Sequence, residues 1–149
     1  MAVKEILDKR IIDLDMQATN KEEVIRHLAG LLAAAGYIHD LEGYVADVYL
    51  REKEGITGIG NHVAIPHGKS DYVKAVGIAV GRTRTGIEWE SYDGAPADLF
   101  FLFAVPADAD GANDHLRLIA ELAGKLGNEQ TMEKLQTAGS YEDLLTAFT

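Results

Sequence analysis

The chain has 149 residues, with 14 Lys and Arg against 24 Asp and Glu for a formal net charge of −10, and 47% of its residues are hydrophobic. That length suits one domain over 1–149, since a domain of this size buries roughly 68–70% of the surface its unfolded chain would expose. The hydrophobic share excludes a disordered chain, the acidic balance excludes a nonspecific nucleic-acid binder, and with no cysteine there is no disulfide framework, thiolate cluster or Cys nucleophile, as expected of a reducing cytoplasm.

Residues 1–10 carry five charges in place of an apolar run, so no secretion signal is expected. Ile11 to Asp15 alternates partly and reads as a strand. Thr19 followed by Glu22 has the spacing of a capping box for a helix starting near Asn20. Behind it Val24, Ile25, Leu28, Leu31, Leu32 and Ala35 follow the helical period until Gly36. Leu41, Tyr44, Val45 and Val48 repeat that pattern and predict a second helix over 40–53.

From Gly55 to Val105 the texture is that of strands and turns. Residues 75–81 and 99–105 are nearly continuous apolar runs, as in strands covered on both faces. Both are far shorter than the ~20 residues needed to cross a bilayer. The alternating segment 86–94 between them predicts an edge strand closing on an Asp93-Gly94 hairpin turn. After a loop at 106–114, Leu116, Ile119, Leu122 and Leu126 mark a helix. A short one follows Asn128, and another follows Ser140 with Asp143 in its first turn. The predicted order is strand, two helices, several strands, three helices. The economical packing is a three-layer α/β/α fold with a mixed central sheet.

The most informative stretch is residues 58–69, which include His62 and His67. Pro66 fixes its own φ and pushes Ile65 into the extended region, so the apolar strand 63–65 is predicted to end there, presenting His67 at a strand end. Gly68, without a Cβ, allows close approach to the imidazole. A His in this setting is equipped to be a nucleophile, a base or a metal ligand, or simply a turn residue. Arg51 falls on the core-facing stripe of the second helix, where a guanidinium wants an anion; a salt bridge or a snorkelling side chain is the ordinary alternative. His115 heads the stripe of Ile119, Leu122 and Leu126 in a first helical turn with Asn113 as candidate cap. Helix N-termini suit phosphate, although a capping or structural His is the commoner outcome.

The run from Glu52 through six residues to Ile59-Gly60, and then Val63-Ala64-Ile65-Pro66-His67-Gly68, resembles the phosphohistidine signature of the enzyme IIA components of the bacterial phosphoenolpyruvate-dependent sugar phosphotransferase system, fructose/mannitol class. Asp98 to Phe103, Pro106 and the His115-Leu116 pair extend the resemblance over nearly the whole chain. The resemblance implies that His67 accepts a phosphoryl group from phospho-HPr and passes it to the cysteine of a IIB component. It likewise implies that His115 is the second active-site His and Arg51 the phosphate-binding arginine. No metal or cofactor is required by that scheme. Since the chain lacks Cys and any spanning segment, IIB and the membrane IIC component are expected on other chains. One departure is His62, where the family carries a small residue, so His62 inherits no role.

Three other readings compete. A nitrogen-type homologue would signal through its phosphorylation state; the form of the 106–114 loop tilts toward transport. A metal-dependent hydrolase would use His62, His67 and His115, against the odd spacing and the intervening Pro66. A scaffold domain would use none of them.

Overall fold

The structure, a computed structural model, describes residues 2–107 and 112–148, with side chains described from 116 onward in the second stretch. Helix α1 (Val3–Ile6) and a 3-10 turn (Lys9–Ile11) lead into β1 (Ile12–Asp13). Two helices follow, α2 (Lys21–Ala34) and α3 (Leu41–Glu54). The sheet is completed by β2 (Gly58–Gly60), β3 (Val63–Ala64), β4 (His67–Ser70), β5 (Gly77–Ile87) and β6 (Ala97–Pro106). Helices α4 (Ala112–Leu126), α5 (Glu129–Thr137) and α6 (Tyr141–Ala147) close the chain.

The predicted three-layer α/β/α order is observed, and β6 shows why. Its side chains alternate between two cores, as a pleated strand buried on both faces must. Phe100, Leu102 and Ala104 meet Val24, Ile25 and Leu28 of α2 and Tyr44, Val45 and Val48 of α3. Leu99, Phe101, Phe103 and Val105 meet Leu118, Leu122 and Leu126 of α4, Leu135 of α5 and Leu144 of α6. The sheet is mixed, in the order β1-β5-β6-β3-β2, with β4 also pairing β6.

Several sequence expectations shift at their edges. The cap of α2 is Asn20, whose side chain accepts from the Glu23 amide at 2.9 Å, while the Glu23 carboxylate reaches back to the Thr19 amide and hydroxyl. The cap and its third residue are therefore Asn20 and Glu23, one residue on from Thr19 and Glu22, and the Glu23 carboxylate bonds Thr19 instead of the cap residue itself. The alternation at 87–90 is real, since Ile87 and Trp89 are buried. Ile87 is the last residue of β5 and pairs with Ala97; beyond it the backbone makes an isolated bridge, Gly58 to Ser91, while the Trp89 side chain packs against Phe100. No edge strand forms there, and Asp93-Gly94 ends a turn inside the β5–β6 connection. Leu116 is 63% exposed, so it leaves the α4 stripe, which runs instead through the buried Leu118, Leu122 and Leu126. Leu116 precedes Leu118 by two positions, or about 200° of helix, and so points the opposite way. Asn113 lies inside α4, which already begins at Ala112, and is not its cap. The charged N-terminus also contributes to the core: Val3 and Leu7 are buried with α4, and the Val3 amide donates to Glu121 at 3.2 Å.

Pro66 interrupts a strand without ending it. Val63 and Ala64 pair with Leu99 and Phe100, and His67 pairs with Phe103, all in one unbroken register along β6. Pro66 cannot donate to the ladder, but its carbonyl still accepts from the Phe103 amide at 3.0 Å. Gly68 then faces α3, where an added Cβ would lie 2.9 Å from Val48 and 3.1 Å from Tyr44. The missing side chain lets the helix that carries Arg51 sit close to β4.

His62 has a local explanation. Asn61 and His62 form the two-residue turn between β2 and β3 with φ of 56° and 65°, the left-handed geometry that favours Gly at the second position. The His62 Nδ1–H donates to the Pro96 carbonyl at 2.9 Å. The left-handed conformation costs roughly 1–2 kcal/mol, and the hydrogen bond returns about 1 kcal/mol. His62→Gly is therefore expected to leave stability within about 1 kcal/mol of the parent, whereas His62→Ala, which keeps the strain and loses the bond, falls by about 1 kcal/mol. Urea denaturation of the two variants checks the order.

Candidate active site

His67 opens β4 and is half-buried, and its Nδ1 lies 3.1 Å from the Ile65 carbonyl. A carbonyl can only accept, so Nδ1 carries the proton and the lone pair resides on Nε2. Imidazole in this tautomer is a nucleophile through Nε2.

Arg51 stands in the last turn of α3, and its Nη1 donates to the Gly55 carbonyl at 3.2 Å, closing the helix end. Among the described residues it makes no ion pair with a carboxylate, so the salt bridge that sequence alone allowed is not what holds it. Its charge is felt at His67. Burial, first, and the Arg51 guanidinium push the His67 pKa below that of an ordinary imidazole; the bond to Ile65 and the charges of Glu52 and Glu54 oppose them without reversing the sign.

The sign has a testable consequence. A folded-state pKa below the unfolded value of ~6.5 means that the unfolded chain binds the extra proton first. This group's contribution to stability is full above ~6.5 and declines as pH falls through the folded-state pKa. The His67 ring protons are expected to titrate with a midpoint below 6.5, and His67→Ala should remove this part of the acid-side loss of stability. An NMR pH titration beside thermal melts at pH 7 and pH 5.5 checks both.

Residue 115 lies in the first turn of α4. The His115 side chain falls outside the described residues, as do residues 108–111 of the expected 106–114 loop, whose last three residues belong to α4. His62 is not brought to the site. It lies five residues from His67 along one strand line, or about 16 Å at a strand's rise, so the two cannot share a metal ion. The hydrolase reading loses its ligand set on that distance.

A group of residues escaped the sequence reading. The Glu52 carboxylate, 6% exposed, pairs with Lys21 and accepts from the Thr57 hydroxyl at 2.7 Å. Thr57 Oγ1 accepts in turn from Trp89 Nε1 at 3.0 Å, and Lys21 Nζ lies 4.8 Å from the centre of the Trp89 ring. The lone Trp of the chain was the available signal. Glu52 entered the sequence analysis only as the first residue of the signature run, with no role of its own, and Thr57 gave no signal.

A sheet-edge His that feels the charge of an Arg with no carboxylate partner among the described residues is suited to an anion, and comparison with known proteins bears on it. The family described as "Phosphoenolpyruvate-dependent sugar phosphotransferase system, EIIA 2" matches residues 5–149. The chain belongs to this EIIA 2 family. It is 35% identical over 145 residues to the fructose-specific EIIABC component of Bacillus subtilis, covering 97% of this chain and 22% of that protein. The chain thus spans about a fifth of that relative's length. The crystal structure of the nitrogen regulatory protein IIA-Ntr from Neisseria meningitidis superimposes with a TM-score of 0.88 at 32% identity, covering 99% of both chains. The mannitol IIA of Escherichia coli, solved in complex with its phosphorylated IIB, gives a TM-score of 0.79 at 26% identity, covering 95% of this chain and 96% of that one. The EIIA 2 fold is common to the transport and the regulatory relatives, so the fold itself does not separate the two roles. No helix among the described residues of this EIIA 2 chain is long and apolar enough to cross a membrane.

Proposed function

We propose that residues 1–149 act as one cytoplasmic phosphocarrier domain in which His67 is the phosphoryl acceptor. The observation that carries the reading is the Nδ1 bond to Ile65, which leaves Nε2 as the attacking nitrogen next to the Arg51 charge. The donor is phospho-HPr. As Nε2 attacks, a P–N bond forms on His67 and the P–N bond of the donor breaks, returning its electron pair to the donor imidazole. In the second half, a IIB thiolate attacks the same phosphorus, a P–S bond forms, and His67 recovers its lone pair. The 149 residues contain no Cys, so that thiolate is supplied from outside them.

Phosphorylation adds roughly −1.5 to −2 charge to a half-buried site. Arg51 supplies a fork of donors to meet it, and His115 at the start of α4 supplies a further N–H. Phosphoryl transfer asks mainly for positioning and charge stabilisation of this kind. The scheme needs neither metal nor cofactor.

The role favoured is sugar uptake of the fructose type, supported by the likeness to the fructose-specific relative over 97% of the chain. The likeness to the Neisseria IIA-Ntr structure favours a second reading, in which the phosphorylation state itself is the signal. Incubation with phosphoenolpyruvate, enzyme I and HPr, followed by a fructose-type IIB, tests both. One phosphoryl group added to the intact protein and then lost to the IIB cysteine is expected. A stable phosphoprotein with no passage to IIB supports the regulatory role, and no incorporation at all overturns the phosphocarrier reading.

A further inference from the structure

The bond that sets the His67 tautomer begins at a peptide which Pro66 leaves short of ladder partners. Ile65 directly precedes the proline, and its amide is held from outside the β6 ladder: it donates to the Thr57 carbonyl at 2.9 Å. Its carbonyl is the acceptor for His67 Nδ1. The orientation of the imidazole therefore depends on where Thr57 sits.

Thr57 is buried, at 4% exposure, and its hydroxyl is used twice, donating to Glu52 and accepting from Trp89. Glu52 is fixed on its other oxygen by Lys21, the first residue of α2, which also bonds Glu90 at 2.9 Å. One buried carboxylate thus ties α2, the end of α3 and the Trp89 loop to the residue that holds Ile65. Glu52 is also the chain neighbour of Arg51. The same brace consequently steadies both members of the site, the helix end bearing the guanidinium and the peptide that aims the imidazole.

We infer that Thr57 and Glu52 are positioning residues, which hold His67 in its Nδ1–H form and at a set distance from Arg51 without touching phosphate themselves. The inference rests on His67 being the phosphoryl acceptor. A rigid acceptor matters because small misplacements of a reacting group carry large rate penalties. An unbraced Ile65–Pro66 segment would let the ring turn, exchange tautomers and present the protonated nitrogen to the phosphorus.

The test is ¹⁵N NMR of the His67 ring in the unphosphorylated protein, paired with the rate of phosphorylation by phospho-HPr. Thr57→Val keeps the branched shape and removes the hydroxyl. It is expected to shift the ring from the Nδ1–H form to a mixture and to slow phosphorylation roughly tenfold to a hundredfold, and Thr57→Ser is expected to restore both. Glu52→Gln keeps the volume but loses the ion pair with Lys21, and should give a smaller shift of the same sign. A folded Thr57→Val with the parental ring spectrum and rate overturns the inference. If Thr57→Val does not fold, Glu52→Gln decides alone, and parental behaviour in both readouts overturns it. Because the ring spectrum needs no phosphoryl donor, a parent protein that never accepts phosphate would sink the phosphocarrier reading while leaving the brace still measurable.

Discussion

His67→Ala is expected to abolish phosphoryl incorporation from phosphoenolpyruvate, enzyme I and HPr, a loss of at least about a thousandfold, because removal of a nucleophile leaves no partial mechanism behind. The fold should survive. His67 stands at the free edge of β4 and, in the ring, loses one hydrogen bond to Ile65, a contribution of about 1 kcal/mol. Labelled phosphoenolpyruvate measures incorporation, and a thermal melt shows that the variant is folded. Incorporation at the parental rate would place the acceptor on another residue.

Arg51→Ala is expected to give the second largest effect, slowing phosphoryl acceptance by roughly a hundredfold, the usual result of deleting one preorganised donor from a site where charge develops. Its structural cost is small, since the guanidinium makes an exposed hydrogen bond to its own helix end at Gly55. Arg51→Lys should recover only part of the rate, because an ammonium is a point charge and offers no planar fork. The same Ala variant should raise the titration midpoint of His67, since the Arg51 charge is among the causes that lower it. Rapid-quench phosphorylation and an NMR titration of the pair of variants measure both. A parental rate in the Ala variant would remove Arg51 from the proposed chemistry.

The two expectations share one cause. His67 must be neutral to attack and must then carry a phosphoryl dianion. Burial serves the first requirement and opposes the second, and Arg51 serves both, lowering the imidazole pKa before transfer and offsetting charge afterwards.

Much of this was readable from residue order. Helical period predicted α2, α3 and the later helices because each buries one face, and a 3.6-residue repeat records a single buried face directly. The continuous apolar runs predicted β5 and β6 for the matching reason. Pro66 and Gly68 restrict the backbone around His67 whatever lies nearby, which presented the imidazole without choosing its role; the resemblance carried by the Glu52 to Gly68 pattern singled it out as an acceptor. What failed were details decided at single positions. Leu116 has the right chemistry for a core and the wrong angle on its helix. Trp89 alternates like a strand residue, yet its indole is claimed by Thr57 and Phe100. The cap of α2 moved by one residue because the Asn20 side chain takes the Glu23 amide, while the hydroxyl of Thr19, the expected cap, is itself a donor to the Glu23 carboxylate.

By itself, then, the sequence determined the class of fold and the absence of a thiol within these residues, because those follow from composition and from periodicities of a few residues, while the candidate acceptor came from the resemblance to a known family. Only the tertiary structure decided three matters. Pro66 interrupts one strand without ending it, a fact carried by the common register of β3 and β4 along β6. His62 is remote from His67, because strand rise separates residues that are close in the chain. The Nδ1 proton is set by a carbonyl two residues away, but the Thr57–Glu52 brace behind that carbonyl draws on segments far apart in sequence, with Lys21 and Trp89 brought to Glu52 and Thr57 at the end of α3. Hydrogen bonds of that kind leave no period in a sequence, since each joins two single residues whose separation along the chain carries no rule.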